Sequence, residues 1–292
     1  MAVDAQPRRG RRAPVLAERW TRIDGVRVFY RESPEPPDAP AMMHVHGFGL
    51  SGRYLLPTAE QLHTEFHTLV PDLPGFGRSG RARGGLDVRD LADAAARFLD
   101  DRGIDRVTLV GNSMGCPVIC EFAHHHGDRL ERAVLVSPAG GLHNQPLTRA
   151  MLQLARDGGR EPGSLIGVAA PDYLRFGVAS TARMFRSLTR YPSLERLLEL
   201  DVPALVVIGD RDPLMPSRER IEEVLQRIDS AVLVVTVGGA AHAINFSHPR
   251  ELAHLIRSFT ADRPIADDPS APGSAHVIEI HRGKRHPRAR ES

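Results

Sequence analysis

Cysteine, tryptophan, aromatic residues and net charge are all scarce in this 292-residue chain, which holds two Cys, one Trp, 5% aromatics and a formal charge of +2. The two cysteines, Cys116 and Cys120, sit four apart on one predicted helix, a spacing without the geometry that a disulfide demands. They read as small buried packing residues, compatible with a reducing cytoplasm. No apolar run approaches the roughly 20 residues that a bilayer-crossing helix needs. A soluble, cytoplasmic protein with no membrane partner is therefore expected. The modest charge is also uneven. Residues 1–14 carry Arg8, Arg9, Arg11 and Arg12 against Asp4, and residues 281–292 carry five basic groups against Glu291, which leaves the body near −5. Basic character confined to the ends predicts disordered tails and no nucleic-acid partner. A twin-arginine export signal would need an apolar segment next, but Glu18, Arg19 and Arg22 interrupt that stretch.

What is present is an alternation of short apolar runs and amphipathic segments. Residues 20–23 and 26–31 flank Asp24 and Gly25, a dipeptide that favours a two-residue hairpin. β-like runs follow at 41–45, 67–70, 106–110, 133–136, 204–208 and 232–237, with helical periodicity at 88–102, after 113 to about 126, at 218–227 and at 249–259. This order predicts an α/β protein with a mostly parallel sheet and helices on both faces. The rhythm breaks after Ser137 and Pro138. Residues 140–200, with apolar positions such as Leu147, Met151, Leu154, Tyr173, Phe176, Met184 and Leu188, read as short helices forming a cap over the sheet's C-terminal edge, where open α/β sheets bind ligands. The expected organisation is a basic disordered tail at 1–14, core at 15–139, helical cap at 140–200, core again at 201–262, and a Pro, Asp and Ser-rich disordered tail at 263–292.

Chemistry concentrates at Gly111, Asn112, Ser113, Met114, Gly115, which follows the run RVTLV and opens a helix. Glycines two residues either side of a serine relieve the crowding of a sharp strand-to-helix turn. The serine would stand exposed there, with backbone N–H groups and the positive helix end beside it. A serine hydroxyl needs a base of pKa near neutrality, and an imidazole in turn needs a carboxylate at its far nitrogen. His242, after the last β-like run, is the candidate base. Asp212 is the candidate carboxylate, with Asp210, two residues earlier on the same turn, competing.

Five separated motifs resemble the α/β-hydrolase superfamily over about residues 20–260: His46-Gly47-Phe48-Gly49, residues 72–79 (DLPGFGRS), the pentapeptide at 111–115, Gly209 to Pro216, and Gly239 to His242 with Asn245 and Pro249. The resemblance implies a cap-bearing serine hydrolase with the chain order Ser113, Asp212, His242. It implies oxyanion donors at Met114 N–H and at Phe48 N–H, with Gly49 as the alternate, and no cofactor or metal. Spacing to Pro216 favours Asp212 over Asp210. The implied reaction is hydrolysis of a small to medium carboxylic ester through an acyl-enzyme. The elbow Asn112-Ser113-Met114 is also similar to that of meta-cleavage-product hydrolases, which split a carbon–carbon bond in a dienoic keto acid. Those enzymes carry tryptophan after the catalytic histidine, where this chain has Ala243. A non-catalytic small-ligand receptor on the same fold is the third reading. An epoxide hydrolase or haloalkane dehalogenase would carry aspartate at the position of Ser113.

Two other patterns invite function and point elsewhere. Gly75-Phe76-Gly77-Arg78-Ser79-Gly80 matches G-x-G-x-x-G, but RARGG follows where a pyrophosphate site needs a helix. His124, His125 and His126 are consecutive on a helix and point in three directions, so they cannot converge on one metal. The cap segment is rich in arginine, and one or two of these facing the pocket would favour an acidic substrate. The sequence leaves oligomeric state open, a homo-oligomer included.

Overall fold

The computed structural model describes residues 15–81, 86–138, 153, 156–215, 217–227, 231–270 and 276–282. Its centre is a nine-stranded sheet in the order β1-β2-β4-β3-β5-β6-β7-β8-β9. The strands are β1 (Ala17–Ile23), β2 (Val26–Glu32), β3 (Ala41–Val45), β4 (His67–Pro71), β5 (Val107–Asn112), β6 (Leu130–Val136), β7 (Ala204–Gly209), β8 (Val232–Val237) and β9 (Val277–Arg282). Strands β3 to β8 pair in parallel, while β1, β2 and β9 are antiparallel to their neighbours. The β1–β2 hairpin turns at Asp24 (φ 51°) and Gly25 (φ 77°), both left-handed as a primed turn requires.

Period-two alternation in the central strands feeds two cores. Met43, Leu109, Ala133, Leu135, Val206 and Ile208 face one layer; Met42, Val110, Val134, Val136, Leu205 and Val207 face the other. Helices α2 (Val88–Asp101) and α3 (Gly115–His126) cover the first. The second lies against α1 (Leu56–Leu62) and, after the short α8 (Ile244–Ser247), α9 (Pro249–Thr260). Helix α2 begins where Asp87 and Asp90 form a reciprocal capping box, and α9 buries Leu252, Leu255, Ile256 and Phe259 at helical spacing. Helix α7 (Arg218–Leu225) follows β7.

Between β6 and β7 lie α4 (Gly163–Phe176), α5 (Val178–Arg190) and α6 (Ser193–Leu198). Their anchors reach the same core as α2: Phe176, Met184, Leu188 and Tyr191 are buried in it. Phe176 stacks on Phe76 at 4.6 Å, the Tyr191 hydroxyl donates to Glu121 at 2.9 Å, and Asp172 accepts from both the backbone and the hydroxyl of Ser51. Among the described residues no helix is long and apolar enough to cross a membrane.

The expected basic tail at 1–14 lies outside the described residues. The expected disorder over 263–292 requires correction, because Val277–Arg282 is strand β9, antiparallel on β8 with Val235 opposite Ile280. Six residues inside a polar, proline-bearing stretch carry too little apolar signal to be read as a strand. They gain order from the free hydrogen-bonding edge of β8, a partner that composition cannot reveal. Removing residues 271–292 should strip protection from the β8 amides in hydrogen exchange; unchanged protection would mean that β9 contributes nothing to that edge.

Candidate active site

The turn after β5 places Ser113 at φ 56°, a left-handed conformation costing a non-glycine residue on the order of 1–3 kcal/mol. The positive φ thus falls on the serine, not on its glycines, and the glycines are needed for close approach. A Cβ on Gly111 would lie 2.7 Å from the Gly115 backbone and from Ile119, and one on Gly115 would overlap the Val45 carbonyl. Helix α3 can therefore start directly against the end of β3. Pro117 is tolerated in its first turn, where amide hydrogens have no intrahelical acceptor. Cys116 and Cys120 are free and buried, and burial pushes the Cys120 thiol up to about 12.

Strands β7 and β8 end side by side, and the loops beyond them interlock. Asp210 N–H donates to Val237 O at 3.2 Å and Arg211 N–H to Ala240 O at 3.0 Å; Asp210 Oδ1 accepts from Gly239 N–H at 2.8 Å. A Cβ on Gly209 would overlap the Ala240 carbonyl. This interlock separates the two acids. Asp210 ties the loops together, while Asp212 Oδ2 lies 2.7 Å from His242 Nδ1 and its Oδ1 accepts from Leu214 N–H at 2.9 Å. Among the described residues the buried His242 Nε2 has no hydrogen-bond partner. Ser113 and His242 line the same cavity, about 230 Å³ in volume.

Burial alone would lower the His242 pKa, but the facing Asp212 carboxylate outweighs it and holds the imidazole above its ordinary value. Burial likewise pushes Asp212 up, and the His242 charge with the hydrogen bonds from His242 and Leu214 more than offsets it, leaving the carboxyl below its usual range. Phe48 and Met114 line the cavity beside Ser113. Neither of their amides donates to a protein acceptor among the described residues. Gly49, at φ 70°, has the Tyr173 ring where a Cβ would go.

The family profile described as "Alpha/beta hydrolase family" matches residues 42–255. This chain belongs to the α/β-hydrolase family. Among curated proteins, the hydrolase is 31% identical to the dihydrolipoyllysine-residue acetyltransferase component of the acetoin cleaving system of Cupriavidus necator, over 45% of the chain and 34% of that protein. It therefore spans about a third of that relative's length. It is 26% identical to a poly(3-hydroxyalkanoate) depolymerase of Ectopseudomonas oleovorans, over 68% of the chain and 77% of the relative. Among solved structures it is similar to a bacterial membrane phospholipase A, with a TM-score of 0.72 at 24% identity, covering 85% of this chain and 87% of that one. At that identity the likeness is one of fold.

The remaining sequence motifs of the hydrolase are structural. His46 accepts from Leu73 N–H at Nε2 (3.0 Å) and so donates from Nδ1 to Gly47 O (2.9 Å), joining two loops. Gly75 N–H and Gly80 O close the G-x-G-x-x-G segment into a turn at 2.8 Å, and the next described helix begins only at Val88. His124, His125 and His126 face three different carboxylates, Glu199, Glu121 and Asp93.

Sequence reasoning missed four residues of the cavity wall. Tyr54 and Asn112 meet behind Ser113. Asp157 accepts from His242 N–H at 3.2 Å, and Glu161 accepts from Ala243 N–H at 2.5 Å. Burial raises both acids, Glu161 to about 7. Their i, i+4 spacing in an arginine-rich segment was the only available signal. Among the described residues no arginine of that segment lines the cavity. Arg149 lies outside the described residues, Arg160 reaches Arg211 O at 2.5 Å, and Arg196 pairs with Glu121 and Glu199.

An NMR titration of His242 should give a midpoint above the ordinary imidazole value of about 6.5. Asp212→Asn should lower it below the wild-type midpoint, because burial then acts without its opposing charge. The sign for stability follows: the raised imidazole favours the folded state at pH below the unfolded value, and this contribution is lost as pH rises through the folded one. A wild-type midpoint at or below 6.5 would contradict the ion pair.

Proposed function

We propose that this hydrolase cleaves neutral carboxylic esters of small to medium acyl length through an acyl-serine intermediate. The observation that carries the reading is His242, anchored at Nδ1 by Asp212 at 2.7 Å and unpartnered at Nε2, on one cavity wall with Ser113. In this reading His242 Nε2 takes the Ser113 proton as Oγ attacks the ester carbonyl. Met114 and Phe48 N–H groups stabilise the oxyanion, and His242 returns the proton to the departing alcohol. Water, activated by the same imidazole, then releases the acid. Electrostatic stabilisation by such amides suits a site walled by Leu50, Leu165, Ile166, Phe185 and Leu188, where little water competes.

The similarity to a poly(3-hydroxyalkanoate) depolymerase, a polyester-cleaving enzyme by name, supports ester chemistry. The charge of the wall supports a neutral ester over a dienoic keto acid. Asp157 and Glu161 line the cavity, whereas no lysine or arginine does among the described residues, so a substrate carboxylate would meet two acids, with the His242 imidazole, already facing Asp212, as the one cationic group among the described lining residues. Ala243 in place of tryptophan points the same way. In this reading the cap comprises α4 to α6 and the residues just ahead of α4, whose acids Asp157 and Glu161 accept from main-chain N–H groups of the histidine loop.

A panel of p-nitrophenyl esters of graded length, with Ser113→Ala as control, tests the reaction. Wild type should turn over short to medium esters and react with a fluorophosphonate, and Ser113→Ala should do neither. Equal turnover by both proteins would refute the nucleophile, and a wild type that binds an intact ester without labelling would identify a receptor. Replacing both acids, Asp157→Asn with Glu161→Gln, should raise kcat/KM for the hemisuccinate ester relative to the butyrate by about tenfold, the scale of one screened charge contact. An unchanged ratio would refute the charge argument.

A further inference from the structure

Four buried hydrogen bonds outside the proposed triad converge on Tyr54 and Asn112, which are almost fully enclosed. The Asn112 amide nitrogen faces two main-chain carbonyls, Val136 O at 3.2 Å and His242 O at 3.1 Å. Carbonyls only accept, so this face must be the NH2 and the opposite face Oδ1. The Tyr54 hydroxyl, 2.7 Å from Oδ1, must therefore donate to it, and its own lone pair is left to accept from Gly47 N–H at 2.8 Å. The polarity of the whole chain is determined by its two carbonyl ends.

The consequence falls on the loop at 46–49. Gly47 N–H is consumed by Tyr54, so it is not available to an oxyanion. Gly47 O is held by His46 Nδ1 at 2.9 Å. Phe48 N–H shares a planar trans peptide with that carbonyl and must point the opposite way. Pinning Gly47 at both its N–H and its C=O thus sets the direction of the Phe48 amide. Gly47 itself has no room to do otherwise: a Cβ there would lie 2.9 Å from the Tyr54 hydroxyl and 3.3 Å from Ser113 Cβ. Through Asn112, whose backbone precedes Ser113, the same chain reaches the main chain of His242.

We propose that Tyr54, acting through Asn112 and Gly47, is a positioning residue that aims the Phe48 amide at the developing oxyanion and ties that loop to the histidine loop. The inference rests on the ester-hydrolase reading. Tyr54 touches no reacting atom, so its contribution is confined to transition-state geometry.

Tyr54→Phe keeps the ring and removes the hydroxyl. Deleting an oxyanion donor outright costs about 10²–10³-fold in kcat, so a mis-aimed donor should cost about tenfold or more. KM for p-nitrophenyl butyrate should stay within about twofold, because ground-state binding is untouched. Affinity for a trifluoromethyl ketone, which forms a tetrahedral oxyanion adduct on the serine, should weaken in step with kcat/KM. The pH midpoint should not move, because the Asp212–His242 pair is intact. Asn112→Ala should give the same split, and the double variant should be little worse than either single one, the signature of one linked unit. Asn112→Ala keeps the test decisive if Tyr54→Phe folds poorly. A folded Tyr54→Phe with kcat near wild type, a change confined to KM, or unaltered ketone affinity would overturn the proposal. Wild type lacking Ser113-dependent turnover would instead overturn the reading beneath it, and the positioning role with it.

Discussion

The architecture of the site depends on one steric constraint: a helix backbone starts where no Cβ can fit. At Gly115 the first turn of α3 presses on the Val45 carbonyl at the end of β3, and at Gly111 the strand presses on that same turn. The chain can reverse from strand to helix in so short a distance only if the residue between them takes a left-handed conformation. That residue is Ser113. The strain is held by the parallel pairing of β5 with β3 and β6 and by the bond from Ser113 N–H to Val136 O at 3.0 Å. A rigid frame over-determines the strained residue, as strained functional positions require. Phe48 and Met114 line the same cavity as the serine.

Around that elbow the polar groups divide into two kinds. Asp72, Asp210, His46 and Asn112 have their hydrogen-bonding capacity spent on neighbouring loops and so fix geometry. Asp212 and His242 are coupled to each other and leave one nitrogen, Nε2, without a partner. A buried unpartnered nitrogen is costly unless the site has a use for it. The acids Asp157 and Glu161 add negative potential over the same imidazole, which favours its charged form.

Much of this was legible in the primary structure because it is local. The serine between two glycines and the alternating apolar runs each depend on neighbours within a few positions. The chain order of the proposed triad, Ser113, Asp212 and His242, is legible too, since motif spacing encodes which loop each residue occupies. What escaped depended on distant partners. Strand β9 is ordered by the edge of β8, and the contacts of Tyr54, Asp157 and Glu161 exist only because the turn ahead of α1 and the residues ahead of α4 come up against the β5 and β8 loops. The left-handed φ of Ser113 also escaped, because sequence shows which residue can tolerate a conformation, not which one is forced into it.

By itself the sequence determined the strand and helix rhythm, the turn at Ser113 and the three loops that bear the proposed triad, since periodicity and turn chemistry act over short chain distances. Motif spacing favoured Asp212 over Asp210, and the tertiary structure gave the physical reason, spending one carboxylate on Gly239 N–H and turning the other to His242 Nδ1. The tertiary structure alone decided the sign of the pocket's charge, because whether an arginine or a carboxylate faces a cavity depends on how helices pack, and composition carries no record of direction.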